Sequence, residues 1–299
     1  MKDSRYELTN ELRELLTPVH TPLVHIEGNI YAKAENCQKT GSVKDRFVFL
    51  EVLRAIEAGE IRKDSVLVEA TSGNTGISLS SAGAMLGLPV KIVMPENMSQ
   101  ERKDMMHRFG AEIIEVGPSD FTAAIEKRNE LVASDDSFWS PMQFENDYNC
   151  QVHQDLTGPE IHEDMKEKNL LQWDFISGAG TGGTLMGIYR YIDQRCTTYG
   201  KLHEVVQVAP LEDAQSHGIQ GINDGADFLL NKQEVTSAFQ IRTQDAIEEA
   251  RRFAKTHGML IGISAGANIA AARLHSALNP TRNVVTLLCD RGERYFSIL

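Results

Sequence analysis

The sequence predicts an α/β protein of two lobes, each a mostly parallel sheet covered by helices. Short β-branched runs alternate with helical stretches along most of the chain, the pattern by which crossover helices join parallel strands. These runs are near-continuously apolar, as strands buried on both faces are. Two of them end in turns rich in glycine and hydroxyl residues, at the carboxyl ends of strands where such folds bind ligands.

Taken in order, the polar start MKDSRYELTNELREL reads as helical, and TPLVHIEGNIYAKAE as a hairpin turning at Glu27-Gly28-Asn29. A helix, DRFVFLEVLRAIEAG, follows the turn CQKTGSVK. Strands are then expected at VLVEA (66–70), VKIVMP (90–95) and AEIIEVG (111–117), with helices starting near Thr75, Ser99 and Ser119. The pattern resumes with WDFIS (173–177), VVQVAP (205–210) and NVVTLLCD (283–290), separated by helices near 184–195, 243–257 and 266–277. The polar stretch FWSPMQFENDYNCQ divides two blocks, roughly 40–142 and 150–299. No internal repeat or low-complexity segment stands out.

With 299 residues, 41% of them apolar, the chain can bury a substantial core. There is no apolar run of membrane-spanning length and no charged-then-apolar leader, so a cytoplasmic enzyme is expected. The net charge of −12 is spread along the chain. Such a surface repels phosphodiester backbones, which argues against a nucleic-acid partner. Cys37, Cys150, Cys196 and Cys289 lie far apart without a CxxC pair, so neither zinc nor a disulfide framework is expected. Cys37, seven residues before Lys44, is either near a site or a partly buried free thiol.

Lys44 poses a question. It opens a helix, where the positive end of the helix dipole repels an ammonium. The turn EATSGNTGIS (69–78) sets Thr71, Ser72, Asn74 and Thr75 at another helix start, suited to a carboxylate or phosphate and equally to an ordinary capped turn. SGAGTGGT (177–184) holds four glycines and two threonines. Gly178, Gly180 and Gly183 satisfy GxGxxG, but the next strand ends Val208-Ala209-Pro210 with no carboxylate for a ribose, so a lone phosphate monoester fits better than a dinucleotide. A lysine near a phosphate loop suggests pyridoxal phosphate held as a Schiff base. A positive setting favours the reactive amine over the ammonium, although a surface lysine stays open on residue chemistry alone. The triphosphatase motif GxxxxGK[ST] is absent.

TGSVKDR, TSGNTG, GAGTGGT, GISAGA and DRGERY, in this order and spacing from about Thr21 onward, resemble the cysteine synthase and cystathionine β-synthase family. That resemblance implies the tryptophan synthase β-like fold (fold type II). Residues 1–39 and 143–299 would form the larger, cofactor-binding lobe, and 40–142 a smaller mobile lobe carrying the substrate-carboxylate loop. It implies that Lys44 carries pyridoxal 5'-phosphate and shuttles the α-proton, and that Asn74 bonds the pyridine 3-oxygen. Gly180, Thr181, Gly182, Gly183 and Thr184 would cradle the phosphate, and Ser264 would face the pyridine nitrogen. Thr71, Ser72, Thr75 and Gln143 would grip the substrate carboxylate, with Gly221 beside the substrate side chain. No metal is implied. A hydroxyl at the ring nitrogen makes a weaker electron sink than a carboxylate partner, which suits prompt loss of a β-substituent to an aminoacrylate and then addition of a nucleophile.

The chain departs from the family pattern in places. Gln38-Lys39 replaces an Asn-Pro, Asn146-Asp147-Tyr148-Asn149-Cys150 replaces an Asn-Pro-Ala-Asn-Pro, and Ala209 stands where Glu is usual, before a shortened loop. The usual Gly-Ile-Gly reads GINDGADF, bringing in Asn223, Asp224 and Asp227. These are either solvated surface groups or marks of a changed nucleophile or leaving group. The resemblance implies β-replacement on an activated serine, foremost cysteine from O-acetylserine and sulfide. Alternatives are formation of cystathionine, lanthionine, diaminopropionate or hydrogen sulfide, a serine/threonine dehydratase, or a non-enzymatic partner of a serine acetyltransferase tail. A homodimer is expected, with no regulatory domain after GERYFSIL.

Overall fold

The computed structural model of the protein describes residues 6, 8–196, 203–213, 216–222 and 226–299. The chain packs as two units, the first made of Met1–Val19 and Lys44–Asn146, the second of His20–Val43 and Asp147–Leu299. The expected lobes put residues 1–39 with the larger unit. Among the described residues, Tyr6 and residues 8–19 group with the smaller unit, where the Tyr6 hydroxyl donates to the Leu86 carbonyl.

In the first unit, α1 (Asn10–Leu16) precedes α2 (Lys44–Glu57), β3 (Val66–Ala70), α3 (Asn74–Leu86), β4 (Val90–Pro95), α4 (Gln100–Arg108), β5 (Glu112–Val116), α5 (Phe121–Ser134) and β6 (Phe138–Trp139), while β1 (Leu23–Glu27) and β2 (Ile30–Lys33) belong to the second unit. The sheet order is β5-β4-β3-β6, parallel throughout. Leu67, Val68, Ile92 and Val93 on its central strands are fully buried, because helices cover both faces of such a sheet.

The second unit starts with the hairpin β1 (Leu23–Glu27) and β2 (Ile30–Lys33), turning at Gly28 (φ +50°) as expected. After α6 (Tyr148–Val152) the helix widens into a π turn, His153–Thr157, and runs on as α7 (Gly158–Glu167). Then come β7 (Trp173–Gly178), α8 (Gly183–Cys196), β8 (Val205–Pro210), β9 (Ser237–Ile241), α9 (Thr243–His257), α10 (Ile263–Leu278) and β10 (Asn283–Leu287). The sheet order is β1-β2-β10-β7-β8-β9, parallel except for the hairpin. One core cluster gathers Ile176, Val206, Val208, Phe253, Ile269 and Val284.

Asp174 of β7 is fully buried. It accepts from Arg282 Nε at 2.6 Å, from the Glu204 N–H at 2.8 Å and from His275 Nε2 at 2.8 Å. Burial pushes its carboxyl up, but Arg282, His275 and the Glu204 N–H outweigh that and hold it at about 2. Asp174, Glu204 and His275 are the one group among the described residues spaced to hold a metal ion. The Arg282 guanidinium already neutralises Asp174 there, so the group works as an ion-pair staple between β7 and the approach to β10. No helix among the described residues is long and apolar enough to cross a membrane.

Breaking this pair should be costly, since Arg282 would keep a largely buried charge without its partner. Asp174→Asn is expected to lower unfolding free energy at neutral pH by about 3–5 kcal/mol. Because the folded pKa is depressed, the wild-type contribution is present above the ordinary carboxylate range and lost as pH falls from about 4 through 2. Urea titrations across that range check both points: the wild-type curve should steepen and the variant's stay flatter.

Candidate active site

Lys44 is half-buried at the first position of α2. The acidic residue that a helix start favours is its neighbour Asp45, fully buried and accepting from the Ser78 hydroxyl of α3 at 2.6 Å. This bond ties the start of α2 to the second turn of α3. The turn before Lys44 is held within the second unit by the DRGERY segment. Arg294 donates to the Thr40 and Gly41 carbonyls at 2.6 and 3.1 Å, the Arg291 N–H donates to the Gly41 carbonyl at 3.2 Å, and the Val43 N–H to the Cys289 carbonyl at 2.9 Å. Gly41 has φ +89° and lies against the Arg291 side chain. Two motifs separated by most of the chain are thus one structural piece.

The Thr71–Thr75 turn joins β3 to α3. Gly73, at φ +149°, leaves no room for a Cβ beside Arg102, whose Nη1 donates to the Ser72 carbonyl at 3.0 Å. The Thr71 hydroxyl accepts from the Gly73 N–H at 3.0 Å. Ser72 and Asn74 are half-buried, while Thr71 and Thr75 are buried. Gln143 joins them: Thr75 Oγ1 donates to its Oε1 at 2.6 Å, and its Nε2 donates to the Ala70 carbonyl at 2.7 Å. So Thr71, Ser72, Asn74, Thr75 and Gln143 come together in the first unit, and Gln143 serves the turn itself.

Beneath the turn lies a group that sequence reasoning missed. Glu69 and Arg128 are both fully buried and paired at 2.9 Å. Glu69 also accepts from the Ala70 N–H at 2.8 Å and the Gln143 N–H at 2.9 Å. Burial pushes its carboxyl up to about 7, while Arg128 and the two N–H groups pull the other way. Three donors converging on two oxygens is the geometry of the ionised carboxylate. An apolar-looking strand, VLVEA, holds this glutamate, and its buried place was the available signal.

In the second unit, Gly180, Thr181, Gly182, Gly183 and Thr184 join β7 to α8. A Cβ on Gly180 would run into the Gly221 carbonyl, and one on Gly183 into the Asn149 side chain. Gly221, half-buried with φ +89°, thereby packs on the turn. Thr181 Oγ1 accepts from the Gly183 N–H at 3.2 Å and from Asn149 Nδ2 at 3.1 Å, and Thr184 Oγ1 lies 3.1 Å from His153 Nε2. Asn149 and His153 were not singled out from sequence. Hydroxyls, glycine N–H groups and a helix start, with no acid between 177 and 184, make a donor set that fits a phosphate ester. Ser264, near the start of α10, is buried. One turn on, Asn268 Oδ1 accepts from the Gly178 N–H at 2.8 Å, linking α10 to the same strand end.

Asp227 is exposed, and its carboxylate pairs with Lys232 at 2.8 Å. Asn223 and Asp224 lie outside the described residues. Cys37 is exposed and Cys150 buried, and Cys37, Cys150 and Cys289 are free thiols. Burial pushes the Cys150 thiol up to about 11, which keeps it protonated and inert.

A family model described as pyridoxal-phosphate dependent enzyme matches residues 15–290. Cysteine synthase B of Campylobacter jejuni is 37% identical over 293 residues, covering 93% of this chain and 94% of that protein. The crystal structure of a hydrogen sulfide-producing enzyme from Fusobacterium nucleatum superposes with TM-score 0.85 at 35% identity, covering 96% and 91% of the two chains. That of the O-acetylserine dependent cystathionine β-synthase from Helicobacter pylori gives TM-score 0.84 at 28% identity, covering 98% of each.

The glycine turn yields a direct test. Gly182 has φ +89°, and a Cβ there would lie 2.5 Å from the Leu230 nitrogen. Gly182→Ala should destabilise the protein by more than about 1 kcal/mol and leave it with less bound cofactor as purified. Thermal melting and the cofactor's visible absorbance measure the two effects.

Proposed function

The chain belongs to the family of pyridoxal-phosphate dependent enzymes and is cysteine synthase-like, and on that premise we propose that it makes cysteine from O-acetylserine and sulfide. The observation that carries this reading is the likeness to a cysteine synthase over more than nine tenths of both chains. We further propose that it works in the cytoplasm as a homodimer.

The cofactor, pyridoxal phosphate, supplies an electron sink that acidifies the substrate α-carbon and lets a β-substituent leave. In this reading the protein's residues divide the remaining work. Lys44 holds the cofactor covalently, then as a free amine takes the proton from the α-carbon. Its place at a helix start disfavours the ammonium and so keeps the amine reactive. Thr181, Thr184 and the N–H groups of Gly180–Gly183 would bind the phosphate, Asn74 would orient the ring, and Ser264 would offer the ring nitrogen a hydroxyl in place of a carboxylate. Thr71, Ser72 and Thr75, with Gln143 behind them, receive the substrate carboxylate and fix the α-hydrogen relative to Lys44, a positioning effect that is a large part of such catalysis.

A second reading, hydrogen sulfide release or thiol exchange on cysteine, is favoured by the solved neighbour described as hydrogen sulfide-producing and by the acids of GINDGADF. Asp227 is engaged with Lys232, so of the two acids Asp224 is assigned the influence on nucleophile choice. A carboxylate beside the β-carbon repels hydrosulfide by about 1–4 kcal/mol at 4 Å and can act as a base for a neutral thiol.

Purified protein should be yellow, and borohydride should fix the chromophore to the peptide containing Lys44, while Lys44→Ala should lose turnover and keep its fold. Label on another lysine refutes the assignment. Initial rates with sulfide, homocysteine and cysteine as nucleophiles, on O-acetylserine, serine and cysteine, rank the two readings. Sulfide with O-acetylserine should be the fastest pair; cysteine serving as the best first substrate would reject cysteine synthesis. Asp224→Asn should shift the nucleophile order and Asp227→Asn should leave it unchanged.

A further inference from the structure

We propose that Glu69 and Arg128 are positioning residues for the substrate: together they fix the backbone of Gln143 to the end of β3, and so hold the Thr71–Thr75 turn in the shape that receives an amino-acid carboxylate. This rests on the reading above that the turn binds that carboxylate.

The argument starts from cost. A fully buried ion pair such as Glu69–Arg128 seldom stabilises a protein more than apolar groups of the same volume would. What it provides here is acceptors. Glu69 Oε1 takes the Ala70 N–H and Arg128 Nη1, and Oε2 takes the Gln143 N–H. The two N–H groups meet different oxygens, and a glutamine would put an NH2 donor in place of one of them. Arg128 supplies the charge that lets the carboxylate stay ionised without water. Nη2 reaches Glu145 at 2.7 Å, so the guanidinium joins Glu69 to the residue two places after Gln143.

The bonds form a closed ring. Glu69 holds the Gln143 backbone, the Gln143 side chain returns to the Ala70 carbonyl and the Thr75 hydroxyl, and Ala70 donates back to Glu69. The turn is thus strung between two anchored ends, Ala70 and Thr75. Neither Glu69 nor Arg128 needs to touch the substrate. Opening the ring frees Gln143 and lets the turn sample shapes that do not bind, which weakens substrate affinity by the fraction of time lost.

The test uses the holoenzyme with Glu69→Gln, Arg128→Lys, Arg128→Met and the uncharged double variant Glu69→Gln/Arg128→Met. Two quantities are read: the O-acetylserine KM and kcat, and the affinity for L-alanine, which carries the α-amino acid group without a leaving group, followed through the cofactor's absorbance. Glu69→Gln and Arg128→Met should raise both the KM and the alanine dissociation constant at least tenfold, with kcat within about threefold and cofactor content unchanged. Arg128→Lys, which keeps the charge, should recover most of the loss. The double variant removes the unpaired buried charge, so it should fold even where the single variants do not, and it should still bind alanine weakly. Wild-type alanine affinity in the double variant, or a loss of kcat alone, overturns the positioning role and leaves the pair structural. Ser72→Ala separates the underlying reading. If it binds alanine as wild type does, the turn is not the carboxylate site and both ideas fall; if it binds weakly while Glu69→Gln binds normally, only the positioning role falls.

Discussion

A helix that begins straight after a parallel strand starts with N–H groups for which the helix has no acceptors. Each unit of this protein meets that shortage at a turn packed into its interior, 71–75 after β3 and 178–184 after β7. Hydroxyls meet part of it: Thr71 accepts from Gly73, and Thr181 from Gly183. Such helix-start donors are the kind of group that suits an anion. The functional reading of the two turns follows from what parallel sheets require of the chain at their strand ends, and the threonines and glycines there answer that requirement.

Around the turns the structure invests in buried polar groups where apolar ones would be easier. Glu69 with Arg128 stands under one turn, and Asn149, His153 and Asn268 stand around the other. Each is largely or fully buried, and the hydrogen bonds cited for each leave these groups satisfied in place. Such networks add little net stability and much definition, because any shift leaves a polar atom dry. A turn whose hydroxyls must meet a ligand at hydrogen-bond distance gains from that definition.

The apolar strands were legible almost to the residue. VLVEA, VKIVMP and VVQVAP coincide with β3, β4 and β8, since burial on both faces writes itself into composition. Strands β6 and β9 were not foreseen. The first has two residues, and the second is a largely exposed edge, SAFQI, so neither carries an apolar run. The α6–α7 stretch was not foreseen, because its start lies in the polar seam and its buried residues mix Asn149, His153 and Thr157 with Cys150, Val152, Ile161 and Met165. Both glycine turns stood out in the sequence. Their supports did not, for a single Glu, Arg, Asn or His inside a helix or strand looks the same whether it faces water or a neighbour. Nor does spacing reveal that DRGERY grips the TGSV turn, since the two are joined only by folding.

The spacing of Asn149 and His153 along their helix constrains how this protein can change. Asn149 and His153 stand four residues apart on one helix and engage Thr181 and Thr184, three apart on the facing loop. The helix therefore meshes with the loop as one rack of teeth meets another. Substitution elsewhere on the helix leaves the mesh alone, but gaining or losing one residue between these teeth turns everything beyond it by about 100°, and one threonine loses its partner. Along residues 149–153 only the exposed Gln151 is open to free exchange, and the count of letters is fixed.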